Sequence, residues 1–290
     1  MRRYRILLLV LIIFILCGCG PQKIKKSPGK AQEYVFFPPL PNMPRYQYLK
    51  TFSTSNDIEK KKSKFFNFIA GEEQEKPKEI RKAYGVDIYD GVIYVCDLGS
   101  GVVSVLNLKK RSFGYIGLTG SGKLLRPINL KIDKENKILY VTDMKRRQVI
   151  AYTLTGKPLK FYGKEDQFSP SDVDIHGNKV FVCDVKGHCI HVLDKESGET
   201  LYKIGKTGSR EGELFHPTNI CIKHDRLYVS DTTNFRVQIF DLEGKFIATF
   251  GKAGRRPGNF SRGKGLAVDN DGRIYVVDAA FEKVQVFDKE

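Results

Sequence analysis

Residues 218–250, TNICIKHDRLYVSDTTNFRVQIFDLEGKFIATF, decide how this chain is built. They hold four short apolar runs, at 220–222, 227–229, 237–240 and 246–250. The breaks between them are His224-Asp225, Thr232-Thr233-Asn234 and Glu243-Gly244. Runs of this length, rich in Val, Ile, Tyr and Phe and bounded by Asn, Asp and Gly, predict four strands of one antiparallel meander. Such a sheet has two apolar faces and cannot bury both alone, so it must stack on copies of itself. The copies are visible. The end of the second strand reads YVCD at 94–97, YVTD at 140–143, FVCD at 181–184, YVSD at 228–231 and YVVD at 275–278. The closing aspartates Asp97, Asp143, Asp184, Asp231 and Asp278 lie 46, 41, 47 and 47 residues apart. A period of 40–50 residues with four strand signals per unit predicts an all-β propeller. No window in the repeats carries apolar residues at helical spacing, which excludes a helical solenoid.

A second pattern joins the units. It reads Gly205-x-x-Gly208-x-x-x-Gly212-x-Leu-Phe-x-Pro217, and again Gly251-x-x-Gly254-x-x-x-Gly258-x-Phe260. With DGRIYVVD at 271–278 and NFRVQIFD at 234–241, the chain closely resembles the NHL-repeat β-propeller family over residues 80–290. More narrowly, it resembles the bacterial exported lipoproteins that carry such propellers. Five four-stranded repeats are visible, at about 85–117, 128–163, 171–205, 218–251 and 264–290. The resemblance implies six blades, so a sixth unit beyond Glu290 is expected in the native protein or its ancestor. The stretch 46–52, YQYLKTF, resembles a fourth strand, and the last unit lacks one, so this N-terminal strand is expected to close the ring.

The N-terminus carries an address. Arg2, Arg3 and Arg5 precede an unbroken apolar run of 11 residues at 6–16, too short to span a bilayer and suited to a signal peptide over 1–18. Leu16-Cys17-Gly18-Cys19 resembles a bacterial lipobox, which implies lipidation at Cys19. Gly20 follows where an Asp would imply retention in the inner membrane, so an outer-membrane location in the cell envelope is favoured. Residues 19–45 are rich in Pro and Lys and read as an extended tether to the propeller at 46–290. An insertion at 53–84 breaks the repeat. Its segment 56–70 reads as a short helix with Asn56 or Asp57 as N-cap and an aromatic end at Phe65, Phe66 and Phe68.

Few residues point to chemistry. The five repeated aspartates are expected to accept backbone N–H bonds at the turn that follows each strand. Cys183, His188, Cys189 and His191 are metal-ligating types, but their spacing fits no zinc-ribbon or haem pattern, so no metal and no cofactor are expected. Alternation places Cys189 and His191 on one side of their strand and Ile190 and Val192 on the other. Cys96, Cys183, Cys189 and Cys221 show no pairing and are expected as mostly free, buried thiols. The related gluconolactonase-like proteins and amidating lyases hold a divalent ion at the channel mouth, where this chain offers Asn129, Asp172 and Asn219. Two amides and one carboxylate with no paired base make that a thin site for a metal-dependent hydrolase or lyase.

Charge points more firmly to a binding role. The chain carries +16, and loss of three arginines with the leader leaves 16 − 3 = +13. Strand alternation puts the loops between strands two and three on the same face as the connectors between blades. That face holds Lys145, Arg146, Arg147, Arg210, Arg236, Arg255, Arg256, Arg262 and Lys264 among sixteen cationic residues, against five acids. A one-sided field of this kind steers anionic partners. The expected function is a non-enzymatic envelope lipoprotein whose propeller binds or scaffolds an envelope protein or an anionic surface polymer. Nucleic acid, which some NHL propellers bind, is disfavoured by the export signals.

Overall fold

The computed structural model describes residues 35–37, 41, 43, 46–59, 76–164 and 167–288. The chain divides into two units, residues 1–51 and 52–290. In the first, β1 (Val35–Phe37) pairs antiparallel with β2 (Tyr46–Tyr48). The leader, Cys19, most of the tether and the aromatic run at 65–68 lie outside the described residues.

The second unit is a series of antiparallel sheets. The first blade is β3 (Ala83–Tyr89), β4 (Val92–Asp97), β5 (Val102–Asn107) and β6 (Ser112–Ile116). The second is β7 (Pro127–Asp133), β8 (Ile138–Asp143), β9 (Gln148–Thr153) and β10 (Pro158–Tyr162). The third is β11 (Pro170–His176), β12 (Lys179–Asp184), β13 (Cys189–Asp194) and β14 (Thr200–Ile204). The fourth is β15 (Pro217–Lys223), β16 (Arg226–Asp231), β17 (Arg236–Asp241) and β18 (Phe246–Phe250). The fifth has three strands among the described residues, β19 (Gly263–Val268), β20 (Ile274–Asp278) and β21 (Lys283–Phe287). Two-residue hairpins such as Asp90-Gly91 and His224-Asp225, with φ positive at both residues, match the right-handed twist of the strands they join.

Side-chain alternation builds the core between blades. Tyr94, Cys96 and Val103 of the first blade pack on Leu139, Val141 and Ile150 of the second. The other face of the second, through Tyr140, Val149 and Ala151, meets Val173, Val180 and Val182 of the third. Phe181, Cys183, Ile190 and Val192 then meet Leu227, Val229 and Phe240 of the fourth. Tyr228, Val237 and Ile239 meet Ile274 and Val276 of the fifth. All four cysteines of the propeller are unbridged and buried. Among the described residues, the two end blades carry exposed apolar side chains. Val277 and Val284 on the fifth blade are 40% and 55% exposed, and Val86 and Ile88 on the first are 63% and 51% exposed.

Two expectations are corrected here. The strand expected to complete the last blade belongs to the separate two-stranded sheet, with Phe37 opposite Tyr46 and Val35 opposite Tyr48. A partner so near in sequence closes a short loop at low entropic cost. The helix expected over 56–70 lies mostly outside the described residues, and at its expected start Asn56 and Asp57 belong to a short 3-10 turn, Ser55–Asp57, whose N-cap is Thr54. Asp57 Oδ2 reaches back to accept the backbone N–H groups of Ser53 and Thr54, both at 2.8 Å. Phe52, Ile58 and Ile80 from this segment cover Val95, Leu106 and Phe113 on the outward face of the first blade.

Candidate functional site

The rim of the propeller is organised by the repeated aspartates. Asp97 accepts the N–H groups of Arg81, Lys82 and Gly99 at 3.0, 2.8 and 3.0 Å. Asp143 takes those of Leu125, Lys145 and Arg146, and Asp278 those of Ser261, Arg262 and Ala280. Each carboxylate thereby ties the connector entering its blade to the loop leaving its second strand. Burial alone would raise the pKa values of Asp97, Asp184 and Asp278, but the hydrogen bonds converging on them, from backbone N–H groups and for Asp184 first from His191, hold all three below the ordinary value of 3.8. The reading of these aspartates as turn-shaping acceptors holds.

The same bonds set the loop face. Arg146 Nη1 donates to the carbonyls of Ser121 and Lys123 at 2.8 and 2.7 Å, and its guanidinium lies over Phe161. Arg236 Nε sits 2.9 Å from Asp231 Oδ2, and its Nη2 donates to the carbonyls of Arg210 and Glu213. These two arginines clamp the loop after strand two onto the neighbouring connector, so the two loop classes do share one face. They are spent as clamps and do not offer free charge. Arg147 is half-buried in a left-handed conformation, and Lys264 Nζ is 3.2 Å from the Tyr84 hydroxyl. Lys145, Arg210, Arg255, Arg256 and Arg262 are exposed, and among the described residues their side chains form no salt bridge, while the Arg210 backbone N–H donates to Glu213 Oε2 at 3.0 Å. Of these, Arg255 lies 5.8 Å from the centroid of the Phe281 ring.

Beside these cations is a group of rings that the repeat pattern did not announce. His188 stacks on Phe215 with centroids 4.8 Å apart, and His216 meets both edge-on. The His216 N–H donates to His188 Nδ1 at 3.0 Å. Burial, then the neighbouring His216, lowers the pKa of His188, so its ring is neutral at neutral pH and can accept that bond. The signal available was positional: His188 occupies the place of Phe235, and both adopt left-handed φ, 56° and 58°.

At the axis, the candidate channel residues are brought close but are buried. Asn129 Nδ2 donates to the Ser171 carbonyl at 3.0 Å. Asp172 Oδ2 accepts from the Ile220 N–H at 3.0 Å and from Asn219 Nδ2 at 3.3 Å, and Oδ1 accepts from the Val173 N–H at 2.9 Å. These bonds lace the second, third and fourth blades together. Gly85 of the first blade lies close against Asn129, where a Cβ would stand 2.4 Å from Asn129 Oδ1 and 2.6 Å from Asn129 Cα. Burial pushes Asp172 up to about 7, against the pull of the two N–H donors. Both of its oxygens are thus engaged by N–H donors of the protein.

Of the four metal-ligating residues in the third blade, Cys183 faces the fourth blade and His188 stands in the ring group. Cys189 and His191 remain together, and Asp184 joins them.

Comparison with known proteins agrees with the fold. A family model described as a 6-bladed beta-propeller matches residues 210–290. The protein brain tumor of Drosophila melanogaster is 29% identical over 169 residues, which is 54% of this chain and 15% of that protein. From Caenorhabditis elegans, the RING finger protein nhl-1 is 39% identical over 64 residues, 22% of this chain and 7% of that protein. Among solved structures, a streptogramin B lyase superposes with a TM-score of 0.55 at 15% identity, covering 71% of this chain and 68% of that one. A Bacteroides thetaiotaomicron protein of unknown function does so with 0.56 at 14% identity, covering 69% and 53%. Likeness at these identities is a likeness of fold.

Proposed function

We propose that this chain, an NHL-type β-propeller, is a non-enzymatic binding module of the bacterial cell envelope that engages an anionic partner through its loop face. The observation that carries this reading is the set Lys145, Arg210, Arg255, Arg256 and Arg262, whose exposed side chains form no salt bridge among the described residues, on loops held by the half-buried clamps Arg146 and Arg236 and, at the last connector, by Gln285 and Asp278. Fixed loops lower the entropy lost on binding, and clustered cations raise the encounter rate with polyanions. The stacked rings at His188, Phe215 and His216 add an apolar contact in the same region.

Attachment is proposed through a lipid on Cys19. Cys19→Ser is expected to move the protein from the membrane fraction to the soluble fraction. Retention in membranes would contradict it.

The binding reading is tested by pulldown of the full chain from gently solubilised envelopes. A variant with Lys145, Arg210, Arg255, Arg256 and Arg262 changed to Glu is run beside it. The native protein is expected to capture a partner that the variant loses, and raising the salt should release that partner progressively. A partner retained by the variant and at high salt would overturn the loop-face assignment. A partner destroyed by nuclease would redirect it to single-stranded nucleic acid, whose bases stack on rings of this kind.

A further inference from the structure

The third blade holds a constellation that partner binding does not use. Asp184 at the end of β12 and Cys189 and His191 on β13 each offer a ligand atom, and these atoms all lie within 4.8 Å of one another. All three residues are buried, at 3%, 5% and 2% exposure. His191 Nε2 is 3.3 Å from Asp184 Oδ2, while its Nδ1, fully buried, has no hydrogen-bond partner. An orphaned polar atom in a core is costly and asks for an explanation.

The fourth and fifth blades supply the comparison against which these residues stand out. The same three positions in the fourth blade are Asp231, Arg236 and Gln238. There Arg236 Nε and Gln238 Nε2 both approach Asp231 Oδ2, at 2.9 and 3.2 Å. Gln238 also holds the connector, accepting from the Gly212 N–H and donating to the Glu213 carbonyl. In the fifth blade the set is Asp278, Lys283 and Gln285, and Gln285 grips its connector in the same way. Those blades pair the carboxylate with a cationic side chain and an amide. The third blade keeps the carboxylate but replaces the cation with a thiol and the amide with an imidazole. Cys189 carries lone pairs where the fourth and fifth blades carry positive charge, and His191 offers a ring nitrogen where they carry an amide. The first and second blades have Val102 with Ser104 and Gln148 with Ile150 at these places.

We propose that Asp184, Cys189 and His191 form a metal site, for zinc or a related thiolate-binding divalent ion, in the place that Arg236 occupies in the fourth blade. One sulfur, one nitrogen and one oxygen donor suit zinc, whose ligand set is drawn from these three types. Asp184 is oriented for the role, because its Oδ1 is held by the N–H groups of Ser169 and Gly187 at 3.0 and 2.9 Å. On binding, the Cys189 thiol releases its proton to solvent and the imidazole ligates in its neutral form. Three protein donors leave one position on a tetrahedral ion for water or a further ligand.

The test adds cobalt(II) to the metal-stripped full chain. A thiolate-to-cobalt charge-transfer band saturating at one equivalent, and displaced by zinc, is expected. Cys189→Ser should abolish the band and weaken zinc binding by about tenfold or more, while Cys183→Ser, on the opposite face of the sheet, should leave it intact. Because single variants could unfold, Cys189→Arg with His191→Gln rebuilds the fourth-blade set. That double variant should fold without metal and show no rise in Tm with zinc, whereas the native chain's Tm should rise. Absence of a band in the native protein, a band surviving Cys189→Ser, or an equal zinc response in the double variant would each overturn the proposal.

Discussion

Asp231→Ala is expected to destabilise the propeller by about 3–5 kcal/mol, the scale for removing one partner of a buried ion pair. The Asp231 side chain is fully buried and Arg236 is 12% exposed. Its Oδ1 accepts the Phe215 N–H at 2.8 Å, and its Oδ2 faces Asn234 Nδ2, Arg236 Nε and Gln238 Nε2 at 2.8, 2.9 and 3.2 Å. Alanine removes every one of these acceptors and leaves a guanidinium buried without its counter-charge. It also frees the connector that presents Arg210, so loop-face binding should weaken with stability. Asp97→Ala, whose partners are backbone N–H groups, should cost less, roughly 1–3 kcal/mol. Denaturant midpoints compared at constant slope measure both. A loss below about 1 kcal/mol at Asp231 would contradict the clamp assignment.

The second large effect is a pH dependence centred on Asp172. Its folded value of about 7 lies above the ordinary 3.8, so the folded chain holds a proton that the unfolded chain has released. Stability from this group is therefore complete below about pH 4 and falls as pH rises towards 7, by roughly 4 kcal/mol in all. The buried surroundings dominate, with the adjacent Asp174 adding to the rise and Lys131 opposing it. The rim aspartates Asp97, Asp184 and Asp278 act in the other direction. Their folded values are depressed, so their contribution is present above 3.8 and is lost as pH falls through the lower folded values. Asp172→Asn, which stays neutral, is expected to flatten the decline between pH 5 and 8 while leaving the acid limb unchanged. An unaltered decline in the variant would contradict the assignment to Asp172.

Much of the architecture could be read from the chain because each blade repeats the same physical problem. The YVxD ending marks an inward-facing strand and the acceptor that pins its connector, and alternation alone separated Cys189 and His191 from Ile190 and Val192. Partnerships across blades could not be read in this way. Arg146 and Arg236 look like free loop charge until the carbonyls of Ser121, Lys123, Arg210 and Glu213 are seen to converge on them. His188 and Phe215 are far apart in sequence and meet only because neighbouring blades place their loops side by side. Asp172 looked like a residue at an open channel, and its burial follows from Ile220 and Asn219, contributed by the next blade. The strand at Tyr46–Tyr48 had the right composition for ring closure, but its hydrogen-bond partner was set by proximity to Val35–Phe37.

The central claim is that one face of the propeller binds, and equal charge changes on two faces test it most directly. One variant carries Glu at Lys145, Arg210, Arg255, Arg256 and Arg262. The other carries Glu at Lys110, Arg111, Lys134, Lys157 and Lys245, which are exposed on the opposite loops. Both variants have the same net charge. Capture of the envelope partner should be lost in the first and kept in the second, and equal loss in both would mean that bulk charge, and no particular face, governs binding.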